Sequence, residues 1–265
     1  MTATVYAVAN QKGGVAKTTT TIALAAALSE RGQAVLVIDL DPQACATFSL
    51  GYDPDELDPT VHDVVGGRTP IAKVVLQHAE MDLAPSSIDL AGAEGGLLLR
   101  TGREYVLRAE LEPLRDTYDA ILIDCPPSLG VLTLNALTAA DLVIIPLQCE
   151  TLSHRGVSQL LETIADVKRL TNRDLEIAGL VATMYDGRTR HARAVLADVQ
   201  GRYGLRIIGV PVRKSIRFAE APHDGRSILA YDGSVPGAAA YRVIAAELAG
   251  FAVDDAQRAA AGAPA

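Results

Sequence analysis

Asn10-Gln11-Lys12-Gly13-Gly14-Val15-Ala16-Lys17-Thr18 follows directly on the apolar run Val5–Ala9 and opens into a stretch of Thr, Ala and Leu. A strand, a glycine loop and a helix in that order make a phosphate cradle. Backbone N–H groups of the loop and of the helix N-terminus can point at an anion, glycine lets the backbone approach it, and a lysine adds a point charge. Lys17 supplies that charge, and Thr18 is placed to offer its hydroxyl to Mg²⁺. The ordinary spacing of two fixed glycines is not met, because they would fall at Gln11 and Ala16.

Phosphoryl transfer also needs a metal holder and a group that orients water. The second apolar run ends in Asp39-Leu40-Asp41-Pro42-Gln43, and a later one in Asp124-Cys125-Pro126-Pro127. Three carboxylates therefore emerge at the C-terminal edge of strands, where open α/β sheets bind ligands. Further short runs lie at 142–145, 177–181 and 207–210. Each is too short for a helix and lacks polar alternation, as expected of strands covered on both faces. Helix-period segments at 17–30, 131–139, 157–170, 192–203 and 235–250 separate them. The expected fold is α/β, a mainly parallel twisted sheet with helices on both faces. Residues 1–250 read as one domain, 51–115 as a less regular helical insertion within it, and the Ala-rich end 251–265 as a flexible tail.

The chain has 265 residues and a net charge of −8. Residues 1–150 carry 9 basic and 20 acidic side chains, a net −11, whereas 151–250 carry 14 and 10, a net +4. Most of the positive excess lies between Asp186 and Arg226, and arginine, whose planar donors suit phosphate, dominates it. Taken alone this is a solvated basic face or a DNA contact. The three cysteines, Cys45, Cys125 and Cys149, have neither disulfide-framework nor zinc spacing, so a reducing compartment is expected. The first ten residues do not read as a signal peptide, and no uncharged run approaches the roughly 18 residues a membrane span needs. A cytoplasmic protein is expected.

The Lys12-Gly13-Gly14 loop, the Asp-Leu-Asp-Pro-Gln turn, Asp124–Gly130 with Leu134–Leu137, Ile145–Glu150, Thr183–Thr189 and Ile216–Pro222 together resemble the ParA/Soj family of DNA-partitioning ATPases. These belong to the deviant Walker A, or MinD-like, group of P-loop ATPases. The resemblance covers roughly residues 4–250. It implies ATP and Mg²⁺ as cofactors, with Lys12, Gly13, Gly14, Val15, Ala16, Lys17, Thr18 and Thr19 around the phosphates. Met184 and Pro211 would flank the adenine. Lys17 would contact the β and γ phosphates, and Lys12 would reach across an ATP-bridged homodimer to the partner's nucleotide. Asp41 would position the attacking water, while Thr18, Asp39 and Asp124 would serve the metal. Gly14 matches a loop glycine close to the dimer interface.

Ala16 stands where the family commonly has glycine; helix-start dihedrals would suit alanine, and only a positive φ would penalise it. His154-Arg155-Gly156 is less acidic than the family form. Arg188 and Arg217 match positions implicated in DNA-backbone contact, and Arg190, Arg213 and Lys214 extend the same basic zone. The implied function is nucleoid-associated DNA segregation, with non-specific double-stranded DNA and a ParB-like centromere-binding protein as partners. Positioning of another cargo on the nucleoid is the main alternative. A MinD-type membrane ATPase lacks support in the poorly basic C-terminal end, an iron–sulfur reductase lacks a second suitably placed cysteine, and a module that has lost catalysis is the remaining alternative.

Overall fold

The computed structural model describes residues 2–149 and 153–261. Seven strands, β1 (Thr4–Val8), β2 (Val35–Asp39), β3 (Leu76–Gln77), β4 (Asp82–Ala84), β5 (Ala120–Asp124), β6 (Leu142–Gln148) and β7 (Glu176–Thr183), form one sheet. Their order is β3-β4-β2-β5-β1-β6-β7, and every pairing is parallel except β3 with β4. Every residue of β2 and β5 is buried. That is why these strands read as unbroken apolar runs.

Alternate residues feed two cores. Val5, Ala7, Leu36, Ile38, Ile121 and Ile123 face one layer, built with helices Val131–Ala139, Ser153–Leu170 and Arg190–Tyr203 and with the helices of the 51–115 stretch. Tyr6, Val8, Val35, Val37 and Leu122 face the other, built with helices Lys17–Ser29 and Pro236–Leu248. The Lys17–Ser29 helix is buried nearly all round, including every residue from Thr20 to Leu28. Its alanines let it fit between the sheet and the second helix, where Gly237, Ala238 and Ala240 are also buried. A helix covered on both sides has no amphipathic stripe, so composition rather than periodicity marks it.

Three expectations need correction. Residues 207–210 do not form a strand: only Ile207 bridges to Leu180, although Ile208 N–H donates to Leu180 O at 2.8 Å. Gly209, at φ +62°, breaks the extended backbone, and a Cβ there would stand 2.8 Å from Ile244 Cγ1. The 51–115 stretch is not wholly helical, since β3 and β4 extend the sheet; at two and three residues they are too short for a periodic pattern. In the C-terminal end a short helix, Asp255–Ala260, is capped by Asp254, and Ala261 is buried. Residues 262–265 and Glu150 lie outside the described residues. Among the described residues no helix is long and apolar enough to cross a membrane.

Candidate active site

Strands β1, β5 and β2 end side by side, with Val8 in register with Asp124 and Asp124 with Asp39. The loop leaving β1 is pinned at both ends. Asn10 donates its side-chain amide to Pro146 O at 2.7 Å and accepts the Lys12 N–H on Oδ1 at 3.0 Å. At the far end the Thr183 hydroxyl, at the tip of β7, donates to Val15 O at 3.0 Å. Gly14 has φ +73°, which explains glycine there on conformational grounds alone. Ala16 also has a positive φ, 65° with ψ 39°, immediately before the helix begins at Lys17. The expectation that alanine meets ordinary helix-start dihedrals is therefore corrected: Ala16 sits in the left-handed region that penalises an L side chain.

A cavity of about 640 Å³ opens over this loop. Gly13, Gly14, Ala16, Lys17, Thr18 and Thr19 form its floor. Asp41, Gln43 and Cys45 form one side, and Met184, Val212, Phe218 and Tyr241 an apolar wall. Phe218 meets Tyr241 edge-on at 6.0 Å, and the Tyr241 hydroxyl lies 3.0 Å from Thr20 Oγ1 on the helix Lys17–Ser29. Lys12 and Val15 do not line the cavity of their own chain, and Pro211 stands outside it, whereas Arg213 and Lys214 line it. Arg188 and Arg190 are exposed at the start of the Arg190–Tyr203 helix, and Arg217 is exposed on the short helix Arg217–Glu220.

The three carboxylates have different surroundings. Asp124 is fully buried and accepts the Thr18 hydroxyl at 2.7 Å and the Thr21 hydroxyl at 3.3 Å. Burial, then the charge of Asp39, push its carboxyl above the usual range, against the Thr18 hydrogen bond and Lys17. Asp39 is also fully buried and raised, chiefly by burial. It accepts Thr47 N–H and Thr47 Oγ1–H, both at 2.8 Å, and Asp41 N–H at 3.2 Å. Its oxygens are thus committed to shaping the Asp41 turn, so the structure gives Asp39 a positioning contact rather than a direct one with the cavity. Asp41 accepts Gln43 N–H at 2.9 Å and lines the cavity. Thr47 and Thr21 were not read as site residues. Thr21 had a legible signal, standing three residues after Thr18 on one helix face, whereas Thr47 had none.

A hydroxyl and a carboxylate are hard oxygen donors of the kind Mg²⁺ takes. Among the described residues no cluster of three or more His, Cys, Asp or Glu forms an all-protein cage. Mg²⁺ usually binds through one or two protein oxygens together with substrate phosphates. Thr18 would hold it, with Asp124 behind. When bound, Mg²⁺ neutralises charge developing on the phosphates.

The family model described as an AAA domain matches residues 3–177. The sporulation initiation inhibitor protein Soj of Bacillus subtilis is 40% identical over 247 residues, covering 92% of this chain and 98% of its own. The chain belongs to the ParA/Soj family of P-loop ATPases. The chromosome partitioning protein ParA of Caulobacter vibrioides (strain NA1000 / CB15N) is 43% identical over 248 residues, or 92% of this chain and 93% of that one. Among solved structures, a Mycobacterium smegmatis protein named cobyrinic acid a,c-diamide synthase, with bound ATP analogue and magnesium, is 50% identical with a TM-score of 0.83. The match covers 93% of this chain and 94% of that one. This ParA/Soj-family chain is an ATP hydrolase.

Proposed function

We propose that ATP and Mg²⁺ bind at Lys17 and Thr18 and bridge two copies of this chain through Lys12, that the dimer holds double-stranded DNA non-specifically, and that hydrolysis releases it. The observation that carries this reading is the shared placement of nucleotide wall and arginines. The loop after β7 gives Met184 to the cavity and, four residues later, Arg188 to solvent with its side chain 93% exposed. The segment that gives Val212 and Phe218 to the cavity carries Arg217 between them. A change in what fills the cavity acts on both arginines through a few residues of backbone.

Arg188 pairs with Asp186 at 3.1 Å, and Arg217 with Glu220 at 2.8 Å and Asp232 at 3.6 Å. Exposed pairs of this kind contribute little and do not bar exchange onto a phosphate. Elsewhere the basic zone is structural: Arg193 donates to Gly187 O at 2.7 Å, and Arg206 to Ala178 O at 2.8 Å and Glu247 at 3.0 Å. Arg188, Arg190 and Arg217 are therefore the DNA contacts we favour. Binding by one subunit is expected to be weak, Kd about 10⁻⁴ to 10⁻⁶ M at physiological salt, and two patches on a dimer raise it by avidity.

Lys12 lies outside its own cavity, which suits a role across the dimer, and Asp41 faces the cavity where an attacking water would be oriented. A ParB-like partner would stimulate that step, and the working location is the nucleoid. Titrating ATP-loaded protein onto DNA over a range of salt tests the reading. Arg217→Glu should weaken binding and reduce the salt slope by about one per subunit while sparing ATP binding; an unchanged slope sinks the patch. The amide-forming reaction in the name of the Mycobacterium smegmatis relative is checked in the same series. ATP turnover stimulated by cobyrinic acid with ammonia, and not by DNA with a ParB-like peptide, would replace the partition reading.

A further inference from the structure

Asp41 lines the cavity over Lys17, with one carboxylate oxygen, Oδ1, committed to the Gln43 N–H at 2.9 Å. Where that carboxylate points depends on the turn from Asp39 to Gln43, and the turn is hard to hold. The residue after Asp41 is Pro42, which brings no N–H. The Asp41 carbonyl is thus the only polar group by which the peptide plane between Asp41 and Pro42 can be fixed.

Ser86 reaches this carbonyl from 45 residues further along the chain, its hydroxyl donating to Asp41 O at 2.8 Å. Ala44 N–H donates to the same oxygen at 2.9 Å. The two donors differ in what stands behind them. Ala44 belongs to the turn itself and moves with it. Ser86 is fully buried and follows the last residue of β4 by two positions. Its own N–H donates to Thr47 Oγ1 at 2.9 Å, and the Thr47 hydroxyl donates to Asp39 Oδ2 at 2.8 Å. Just before it, Pro85 O accepts the Val61 N–H at 2.8 Å. On the other side of Asp41, its N–H donates to Asp39 Oδ1 at 3.2 Å. The peptide planes on both sides of the Asp41 side chain are therefore tied to the sheet, one through Asp39 and one through Ser86.

We infer that Ser86 is a positioning residue for ATP hydrolysis: by holding the Asp41 carbonyl it aims the Asp41 carboxylate at the attacking water. Ser86 does not line the cavity, so it acts only through Asp41. The inference rests on the reading of Asp41 as the group that orients that water.

Single-turnover hydrolysis of Mg²⁺-ATP by the full chain, alongside calorimetric titration with a slowly hydrolysed ATP analogue, tests it. Ser86→Ala removes the hydroxyl alone; Asp41 O keeps the Ala44 N–H and the backbone N–H at position 86 keeps Thr47 Oγ1, so the fold stands. Hydrolysis should slow about tenfold, since a shift of about 1 Å in a reacting group costs about a hundredfold and the turn keeps its other anchors. Analogue affinity should be unchanged, and in the steady state kcat should fall with KM little altered. Ser86→Cys, close in shape but a weak donor, should fall between. On an Asp41→Ala background Ser86→Ala should slow hydrolysis no further, because the group it aims is gone. An unchanged rate in Ser86→Ala, with Asp41→Ala slow, would overturn this inference alone. So would full additivity of the two losses, or a loss of analogue affinity equal to the loss of rate, each the mark of a merely structural hydroxyl. Hydrolysis at the wild-type rate by Asp41→Ala would remove the water-orienting reading, and this inference with it.

Discussion

Replacing Ala16 by glycine should make this protein more stable, although glycine usually weakens a helix start. Ala16 has φ 65° and ψ 39°, a conformation in which an L residue pays about 1–2 kcal/mol. Glycine removes that strain but loses about 0.5–1 kcal/mol more backbone freedom on folding. The difference is a stabilisation of about 0.5–1 kcal/mol, and the half-exposed methyl forfeits little burial. Ala44 is an internal control, since it has φ 51° and ψ 34° but is only 2% exposed. There the same relief is offset by losing a buried methyl worth about 0.8 kcal/mol, so Ala44→Gly should be close to neutral. Urea denaturation of nucleotide-free protein measures both, and Ala16→Gly should raise the thermal midpoint by about 2 °C for a chain of this size. ATP binding by Ala16→Gly should be retained. A lower midpoint for Ala16→Gly together with a higher one for Ala44→Gly would refute the strain argument.

Other outcomes follow from the same geometry. Asp39 and Asp124 are both raised in the folded state, so the native protein keeps protons that the unfolded chain releases near pH 4. Stability without nucleotide or Mg²⁺ should therefore fall as pH rises from about 4 through their raised values. Asp124→Asn should flatten that decline in urea midpoints taken at several pH values, while losing Mg²⁺-dependent ATP binding. Thr47→Val should cost about 1–3 kcal/mol, because Asp39 loses the Thr47 hydroxyl and Ser86 N–H loses an acceptor at 2.9 Å; denaturation measures it. A Cβ at Gly156 would lie 3.1 Å from Asn10 Oδ1 and 3.6 Å from Lys12 N. Gly156→Ala should accordingly disturb the Lys12 loop, weakening ATP-dependent dimerisation in light scattering more than ATP binding.

The strand–loop–helix at the start of the chain was legible because glycine, lysine and apolar run stand within a few residues of one another. Asp39 and Asp124 were legible for the same reason, each closing an apolar run at a strand end, with Asp41 two residues beyond the first. What escaped depends on contacts distant in sequence. Thr47 is tied to Asp39 by a turn, and Thr183 reaches Val15 from 168 residues away. Tyr241 joins the cavity only because helix Pro236–Leu248 packs on helix Lys17–Ser29. Arg213 and Lys214 are exposed, as the basic zone implies, and composition does not say that they also border a cavity. The 207–210 run misled because its apolar residues suit a strand, while Gly209 turns the backbone away from one. The positive φ of Ala16 leaves no trace in composition at all.

The central claim is that nucleotide controls assembly and DNA binding together. The measurement that tests it most directly is particle mass and affinity for random-sequence DNA, taken in parallel with Mg²⁺ and ADP, ATP or a slowly hydrolysed analogue. The account predicts a monomer with weak DNA binding in ADP, and a dimer with much tighter, salt-sensitive binding in ATP and the analogue. The same mass and the same DNA affinity in all three would contradict it.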